Sequence, residues 1–167
     1  TQLFIYNEEL LRAPALLPEN HNVTQVGPVI IAFGTEEQKR HFLPRIRNLD
    51  YWFCQGFSEP GSGSDLASLK TSAVQKGEFY EVNGQKVWTT QGHNANWMFA
   101  LVRTDPGATK KQRGISYLLI DMKSPGISIR PVHTLGGHRV NEIFFDQVRV
   151  PVASRVSYTH LTLPTIL

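Results

Sequence analysis

The sequence has little that would point to a secreted, membrane-spanning or metal-dependent protein. Its 167 residues include one cysteine, Cys54, so no disulfide can form within the chain. No apolar run approaches the roughly 20 residues that a membrane-spanning helix needs. The histidines at positions 133 and 138 lack the further ligands that a metal site requires. We therefore predict no metal site, no membrane span and a buried, unreactive Cys54 thiol.

The charge of the chain does not favour nucleic-acid binding. The net charge is only +3, and the lysines and arginines are scattered along the chain instead of forming a block. Hydrophobic residues make up 41% of the sequence, which is enough for a packed core and argues against global disorder. The length fits one domain or a part of a larger protein.

The first part of the sequence predicts helices. Residues 26–33 form an apolar run, and residues 1–24 are typical of a broken helix followed by a loop. Thr35 and Gln38 have the spacing of a capping box, in which each residue satisfies a backbone N–H of the other at a helix start. Pro44 should bend or end this second helix, because its ring clashes with the preceding turn.

From residue 52 onward the pattern favours strands. Residues 78–82 and 85–89 flank Asn83-Gly84, a pair that suits a type I′ turn and predicts a hairpin. Further strands are predicted at 97–103, 114–121, 126–131 and 142–150. The fold class is therefore α+β, with short N-terminal helices followed by an antiparallel β-barrel or sandwich-like domain. The alternating strands and helices of a Rossmann fold are not found.

A segment rich in glycine and serine, QGFSEPGSGSD at residues 55–65, lies where the helical part meets the β part. We call it the Gly/Ser segment. Its glycines let a ligand approach the backbone, and successive N–H groups can bind electron-rich oxygens. Ser58, Ser62 and Ser64 add hydroxyl groups that donate and accept. It is not a phosphate-binding loop of the Walker type. A wide turn capped by Asp65 is the structural alternative.

A second segment, NGQKVWTT at residues 83–90, offers an aromatic surface. We call it the Trp segment. Trp88 supplies a broad π face, and Thr90 supplies a hydroxyl at a strand end. With the Gly/Ser segment, these groups suit a flat heterocycle with carbonyl and ring-nitrogen atoms, such as a flavin. His93 follows closely, either as a residue lining the site or as a polar loop residue.

These two segments resemble the signature segments of the acyl-CoA dehydrogenases. That family carries Thr/Ser-Glu-Pro-x-x-Gly-Ser-Asp followed by Asn-Gly-x-Lys-x-Trp-x-Thr. Further matches follow in family order, including GTEEQK at 34–39, RGIS at 113–116 and FDQVRVP at 145–151. The resemblance covers residues of about 25 to 155. Gln55 and Ser58 depart from frequent family residues, which suggests a subgroup because the hydroxyl is kept.

The resemblance implies FAD as the cofactor. The implied cofactor-binding residues are Gln55, Gly56, Phe57, Ser58, Ser64, Trp88, Thr89 and Thr90. Ser64 would also contact the CoA part of an acyl-CoA substrate. The implied reaction removes a proton from Cα and a hydride from Cβ of an acyl thioester. The general base of the family lies in a C-terminal helical domain, so we assign no catalytic residue here and expect Glu59 to tie its loop through hydrogen bonds.

The resemblance also implies a domain organisation. Residues 1–50 would end an N-terminal helical domain, residues 51–155 would form the central β domain, and the C-terminal helical domain would be missing. Residues 156–167 (VSYTHLTLPTIL) are predicted to be a non-native tail, because VSYTHLTLPT resembles a translated transposase adapter. We expect such a fragment to be inactive alone.

Partners and alternatives complete the prediction. The full-length parent would form a homo-oligomer and pass electrons to an electron-transfer flavoprotein or a similar acceptor. It would be cytoplasmic in a bacterium, or in an organelle matrix in a eukaryote. Two other functions stay open: a non-catalytic β domain that binds a ligand, and a related flavin oxidase such as an acyl-CoA oxidase or nitroalkane oxidase.

Overall fold

The computed structural model of the protein describes residues 2–13, 21–137 and 139–156. His138 and the predicted tail beyond Val156 lie outside these residues. Residues 14–20, part of the predicted broken helix and loop, also lie outside them.

The helices occupy the N-terminal part, as the sequence predicts. They are α1 (Gln2–Arg12), α2 (Gly27–Phe33) and α3 (Glu36–Arg47). Residues 21–24, predicted as a loop, instead belong to a π-helical turn, His21–Val26, that leads directly into α2. The capping box of α3 is confirmed: Gln38 N donates to Thr35 Oγ1 at 3.1 Å, and Thr35 N donates to Gln38 Oε1 at 3.0 Å.

Pro44 is predicted to bend or end α3. It does not end the helix, which continues to Arg47. Pro44 and Arg40 are both exposed, so water can reach the Arg40 carbonyl whose helical donor the proline lacks. The inner side of α3 carries buried Phe42 and Ile46, and their packing keeps the last turn helical.

In the described part of the chain, eight strands form one sheet. They are β1 (Phe53–Gly56), β2 (Ser72–Lys76), β3 (Phe79–Thr90), β4 (Trp97–Arg103), β5 (Ile115–Asp121), β6 (Ile127–His133), β7 (Arg139–Pro151) and β8 (Arg155–Val156). Their order is β6-β7-β3-β2-β4-β5-β8, with β1 added beside β4. Helices followed by a largely antiparallel sheet are thus confirmed. The words barrel and sandwich fit loosely, because β1 and β2 each pair with β4 in parallel and the sheet does not close.

The predicted hairpin at Asn83-Gly84 is wrong. β3 runs through both residues, and the turn before it lies at Gly77, where φ is +61°. Asn83 Oδ1 instead accepts a hydrogen bond from Gln147 N at 2.8 Å, at an irregularity in the pairing of β3 with β7. A Cβ at Gly84 would lie 2.6 Å from Thr71 Oγ1. The pair therefore serves close packing of strands, not chain reversal.

Two cores lie on opposite faces of β4 and β5, which are buried on both sides. Met98, Ala100 and Val102 face a core shared with β3 and β7, whereas Phe99 and Leu101 face a core shared with the helices. This alternation follows from the period of two along a strand. The helices therefore cover one face of β4 and β5, and strands β3 and β7 cover the other.

Cys54 behaves as predicted. It is fully buried in the core between the strands. Burial raises the pKa of its thiol to about 12, so the thiolate needed for reaction is suppressed at neutral pH.

Candidate functional site

The Gly/Ser segment begins as a strand and continues as a tight loop. Gln55 and Gly56 belong to β1 and pair with Phe99 and Ala100 of β4. Gly56 is buried, and a Cβ there would lie 2.4 Å from Met98 Sδ. A side chain here would have to displace Met98, so Gly56 lets β1 lie close against β4.

The loop part folds around a small bridge. The backbone groups of Glu59 and Ser62 bond to each other in both directions at 2.8 and 3.0 Å. The buried Ser62 hydroxyl donates to Asp65 O at 2.9 Å, so this hydroxyl supports the loop and is not offered to a ligand. Ser64, in contrast, is exposed at the loop tip. The turn expected as the structural alternative is therefore present, but Asp65 contributes its carbonyl and not a side-chain cap.

Phe57 and Ser58 lie at the start of the loop and are half-buried. The Phe57 ring packs edge-on against Phe99, with ring centroids 5.7 Å apart. Among the described residues the Ser58 hydroxyl has no hydrogen-bond partner, whereas its carbonyl accepts from Val87 N at 2.9 Å. The Ser58 hydroxyl is therefore available to donate a hydrogen bond to a ligand.

The Trp segment contains a bulge between Lys86 and Thr89 that turns Trp88 outward. Between Lys86 and Thr89, β3 has one residue more than the facing part of β7. Trp88 has φ +58°, a conformation that a large side chain rarely adopts, and 67% of the residue is exposed. Such bulges often redirect a side chain beside a functional site.

The two threonines after Trp88 face opposite ways. Thr90 is exposed beside Trp88, whereas Thr89 is 1% exposed. The Thr89 side chain therefore cannot contact a ligand at the surface. The Thr90 side chain can.

The structure brings the two segments together through a buried ion pair. Lys86 Nζ lies 2.8 Å from Glu59 Oε1. Burial opposes the charge of Glu59, but the charge of Lys86 and hydrogen bonds from Lys86, Thr71 and Lys70 outweigh it and lower the pKa of this carboxyl. Burial lowers the pKa of Lys86 to about 8, although Glu59 counteracts this effect. The expectation that Glu59 ties its loop is confirmed.

Lys86 and Asn141 are two site-region residues that sequence reasoning missed. Asn141 Nδ2 donates to Thr89 O at 2.9 Å and lies 3.1 Å from His93 Nδ1. Its Oδ1 and Thr89 Oγ1 are buried without partners among the described residues. The available signal was strand alternation, since Asn141 shares the inward side of β7 with apolar Ile143. His93 thus lies near the end of the Trp segment and is exposed.

Other classes of site find no support in the described residues. No group of three potential metal ligands occurs in the part of the chain that the structure describes. None of the helices there is long and apolar enough to cross a membrane. A surface groove lies on the helical face, lined by Tyr6, Asn22, Val23, Gly27, Pro28, Ile31, Leu43, Ile46, Arg47 and Leu49, and includes neither segment.

Comparison with known proteins gives the same family for both parts of the chain. Residues 54–148 match the middle domain of acyl-CoA dehydrogenases, and residues 1–50 match the N-terminal domain. The chain is 48% identical over 146 residues to acyl-CoA dehydrogenase IpdE1 of Mycobacterium tuberculosis, covering 86% of this chain and 38% of that protein. FadE26 of the same organism is 46% identical over 154 residues, or 91% of this chain and 38% of the relative.

The fold of the chain is similar to that of several solved structures. The crystal structure of the ChsE4-ChsE5 complex from Mycobacterium tuberculosis aligns with a TM-score of 0.85 and 46% identity, covering 93% of this chain and 40% of that one. The Tcur3481-Tcur3483 steroid ACAD aligns with a TM-score of 0.86 and 38% identity, covering 92% and 40%. A glutaryl-CoA dehydrogenase from Mycobacterium smegmatis, solved in complex with FADH2, aligns with a TM-score of 0.67 and 31% identity over 77% of this chain and 32% of that one.

The chain spans between 32% and 40% of the length of these relatives. Over that span its fold agrees with that of the solved structures. The chain belongs to the acyl-CoA dehydrogenase family.

Proposed function

We propose that this chain forms the flavin-facing β domain, with part of the N-terminal helical domain, of a flavin-dependent acyl-CoA dehydrogenase. The observation that carries the proposal is the junction of the two segments, where Ser58 and Val87 are hydrogen-bonded at 2.9 Å and Trp88 projects outward beside them. Residues 1–50 would belong to the helical domain and residues 51–155 to the β domain.

The residues at this junction fit a flavin. The exposed Trp88 offers a π face, while the Ser58 and Thr90 hydroxyls can donate to ring nitrogen and carbonyl atoms. When bound, FAD would supply the acceptor for the hydride that leaves Cβ of the substrate. Trp88 would cover the ring, and the hydroxyls of Ser58 and Thr90 would orient it and favour negative charge on it.

The substrate would enter beside the loop tip, where the exposed Ser64 hydroxyl can contact the CoA part. Glu59 would not serve as the base that removes the Cα proton, because its carboxylate is buried and bonded to Lys86. The base would come from a C-terminal helical domain like that of the family. This chain alone is therefore expected to be inactive.

We also propose a substrate class and an assembly. The likeness to the Tcur3481-Tcur3483 steroid ACAD supports an acyl-CoA with a steroid or similarly bulky acyl group. That protein and ChsE4-ChsE5 each combine two named proteins, which supports an oligomer as the working form. Electrons would pass to an electron-transfer flavoprotein or a similar acceptor, and the bacterial relatives support a cytoplasmic location.

A chimera tests this function. Residues 1–156 would replace the matching part of the chain in the ChsE4-ChsE5 complex that they resemble, and the complex would be purified with its partner. We expect bound flavin whose visible absorbance bleaches when acyl-CoA is added without oxygen. Ser58→Ala and Trp88→Gly should lower the flavin content, whereas Ser128→Ala, at an exposed position on β6, should not.

Two outcomes would contradict the proposal. A cooperatively folded chimera without flavin would favour a non-catalytic binding domain. Rapid reoxidation of the bleached flavin by dioxygen would favour an oxidase.

A further inference from the structure

Lys86 has the surroundings of a fixed structural cation. Its side chain is 0% exposed, although lysine is rarely fully buried. Nζ donates to Glu59 Oε1 at 2.8 Å, to Leu101 O at 2.7 Å and to Phe57 O at 3.2 Å. An ammonium group has three donors, so every one is used. These bonds join three separate parts of the chain: β3, β4 and the start of the loop.

Glu59 holds both ends of the loop from the other side of the pair. Its Oε2 accepts from Lys70 N at 2.6 Å, and its Oε1 accepts from Thr71 N at 2.9 Å. Residue 59 lies near the start of the loop, and residues 70 and 71 lie at its end. One carboxylate thereby closes the loop, whose tip at residues 63–65 is exposed.

Stability alone does not explain a buried pair of this kind. Apolar residues of similar volume often replace a buried ion pair without loss of stability, or with a gain. The positions of the two residues suggest a different role. Glu59 follows Ser58 directly in the Gly/Ser segment, and Lys86 comes two residues before Trp88 in the Trp segment.

We propose that Glu59 and Lys86 are positioning residues that fix the Gly/Ser segment against β3 at the spacing that flavin binding requires. This inference rests on the proposed function. Neither side chain is exposed enough to touch a ligand, so both act through Ser58 and Trp88. The pair is therefore expected to control flavin affinity separately from overall stability.

The test compares Lys86→Met, Glu59→Gln and the double variant in this chain. Lys76→Met with Glu81→Gln is the matched control, because that pair has the same 2.8 Å separation and also involves β3 but lies nearer the surface. The measurements are the unfolding midpoint, amide hydrogen exchange at Lys70, Thr71 and Val87, and FAD affinity followed by NMR titration.

We expect each single variant to lower the midpoint, to speed exchange at these amides at least about tenfold and to weaken FAD binding about tenfold or more. The double variant removes the unpaired charge, so the midpoint should recover in part. Its loop should still exchange fast and bind FAD weakly. The reason is that the glutamine introduced by Glu59→Gln has only one oxygen for the N–H groups of Lys70 and Thr71. The methionine introduced by Lys86→Met leaves the carbonyls of Phe57 and Leu101 without a donor. The surface control should match the wild type in all three measurements.

Recovery of loop protection and FAD affinity together with the midpoint in the double variant would overturn the inference, since the pair would then be merely structural. Fast loop exchange with unchanged FAD affinity would overturn it as well. A wild-type chain that binds no FAD, but whose variants show fast loop exchange, would refute the proposed function and leave the pair as a loop clamp only.

Discussion

Lys86 Nζ and Glu59 Oε1 lie 2.8 Å apart with 0% and 7% of their side chains exposed. The pair connects the two segments that carry the family resemblance. Removing one partner of a buried pair typically costs about 3–5 kcal/mol, because the other charge stays buried without compensation. The size of this cost therefore shows how far the ion pair is shielded from water.

We therefore predict that Lys86→Met lowers the free energy of unfolding by about 3 kcal/mol or more. The surface pair Lys76–Glu81 should give about 0–1 kcal/mol when Lys76 is changed to Met, because water screens it. Urea denaturation measures both values. Equal losses in the two variants would show that the Glu59–Lys86 pair is not shielded from water.

The pH dependence of stability should reveal the buried thiol. The pKa of Cys54 is raised from 9.0 to about 12 in the folded protein, so the unfolded state releases this proton first as pH rises. The contribution of Cys54 to stability is complete below pH about 9 and is lost progressively towards pH about 12. Lys86 acts in the opposite direction above pH about 8, because its pKa is lowered on folding.

Cys54→Ala separates the two effects. This variant should be less stable throughout, because the substitution leaves a small cavity. Between pH of about 9 and 10.5 the two effects oppose each other in the wild type, so the unfolding free energy of the variant should rise with pH relative to that of the wild type. A thiol reagent should modify wild-type Cys54 only at denaturant concentrations that unfold the chain. Rapid modification of the native protein would contradict the burial of this residue.

Gln38 is a second predicted stability site. Its Nε2 donates to Ala153 O at 2.7 Å and to Arg155 O at 3.0 Å, so the capping residue of α3 also ties the helices to the end of the β domain. Thr35→Ala should cost about 1 kcal/mol, the usual value for an N-cap. Gln38→Ala should cost more, about 2–3 kcal/mol, because it removes two further hydrogen bonds made by a buried side-chain amide. Equal costs in thermal denaturation would show that the bonds to Ala153 and Arg155 contribute nothing.

The sequence predicts what depends on neighbours in the chain and fails where distant contacts decide. The capping box needs only residues 35–38, and it is found as predicted. Strand β4 matches its predicted bounds of 97–103, because its hydrophobic run fits a strand buried on both faces. Asn83-Gly84 has the local chemistry of a turn, but contacts with Thr71, just before β2, and with Gln147 of β7 determine its structure.

The same contrast holds at the candidate site. Ser58 and Trp88 could be picked out by chemical type. The bulge that exposes Trp88, and the inward direction of Thr89, depend on the register of β3 against β7. Lys86 gave no local sign of burial, because its partners come from β4 and from the loop after β1.

Trp88 should show a conflict between stability and binding. Its φ of +58° is unfavourable for any side chain and favourable for glycine. Trp88→Gly should be about 1 kcal/mol more stable than Trp88→Ala, which keeps the strain. Both variants should lose flavin affinity, and Trp88→Phe should retain part of it because the aromatic face remains. Unchanged flavin affinity in all three variants would remove Trp88 from the site.

The most direct test of the account is a map of FAD binding on this chain by NMR. With a flavin site at the junction of the two segments, the backbone amide signals of residues 57–59, 61–64 and 87–91 should shift in a saturable way as FAD is added. Signals of exposed β6 residues such as Ser128 and Arg130 should stay in place. Shifts confined to β6 or to the helical groove, or no shift at any FAD concentration, would contradict a flavin site at the junction of Ser58 and Trp88.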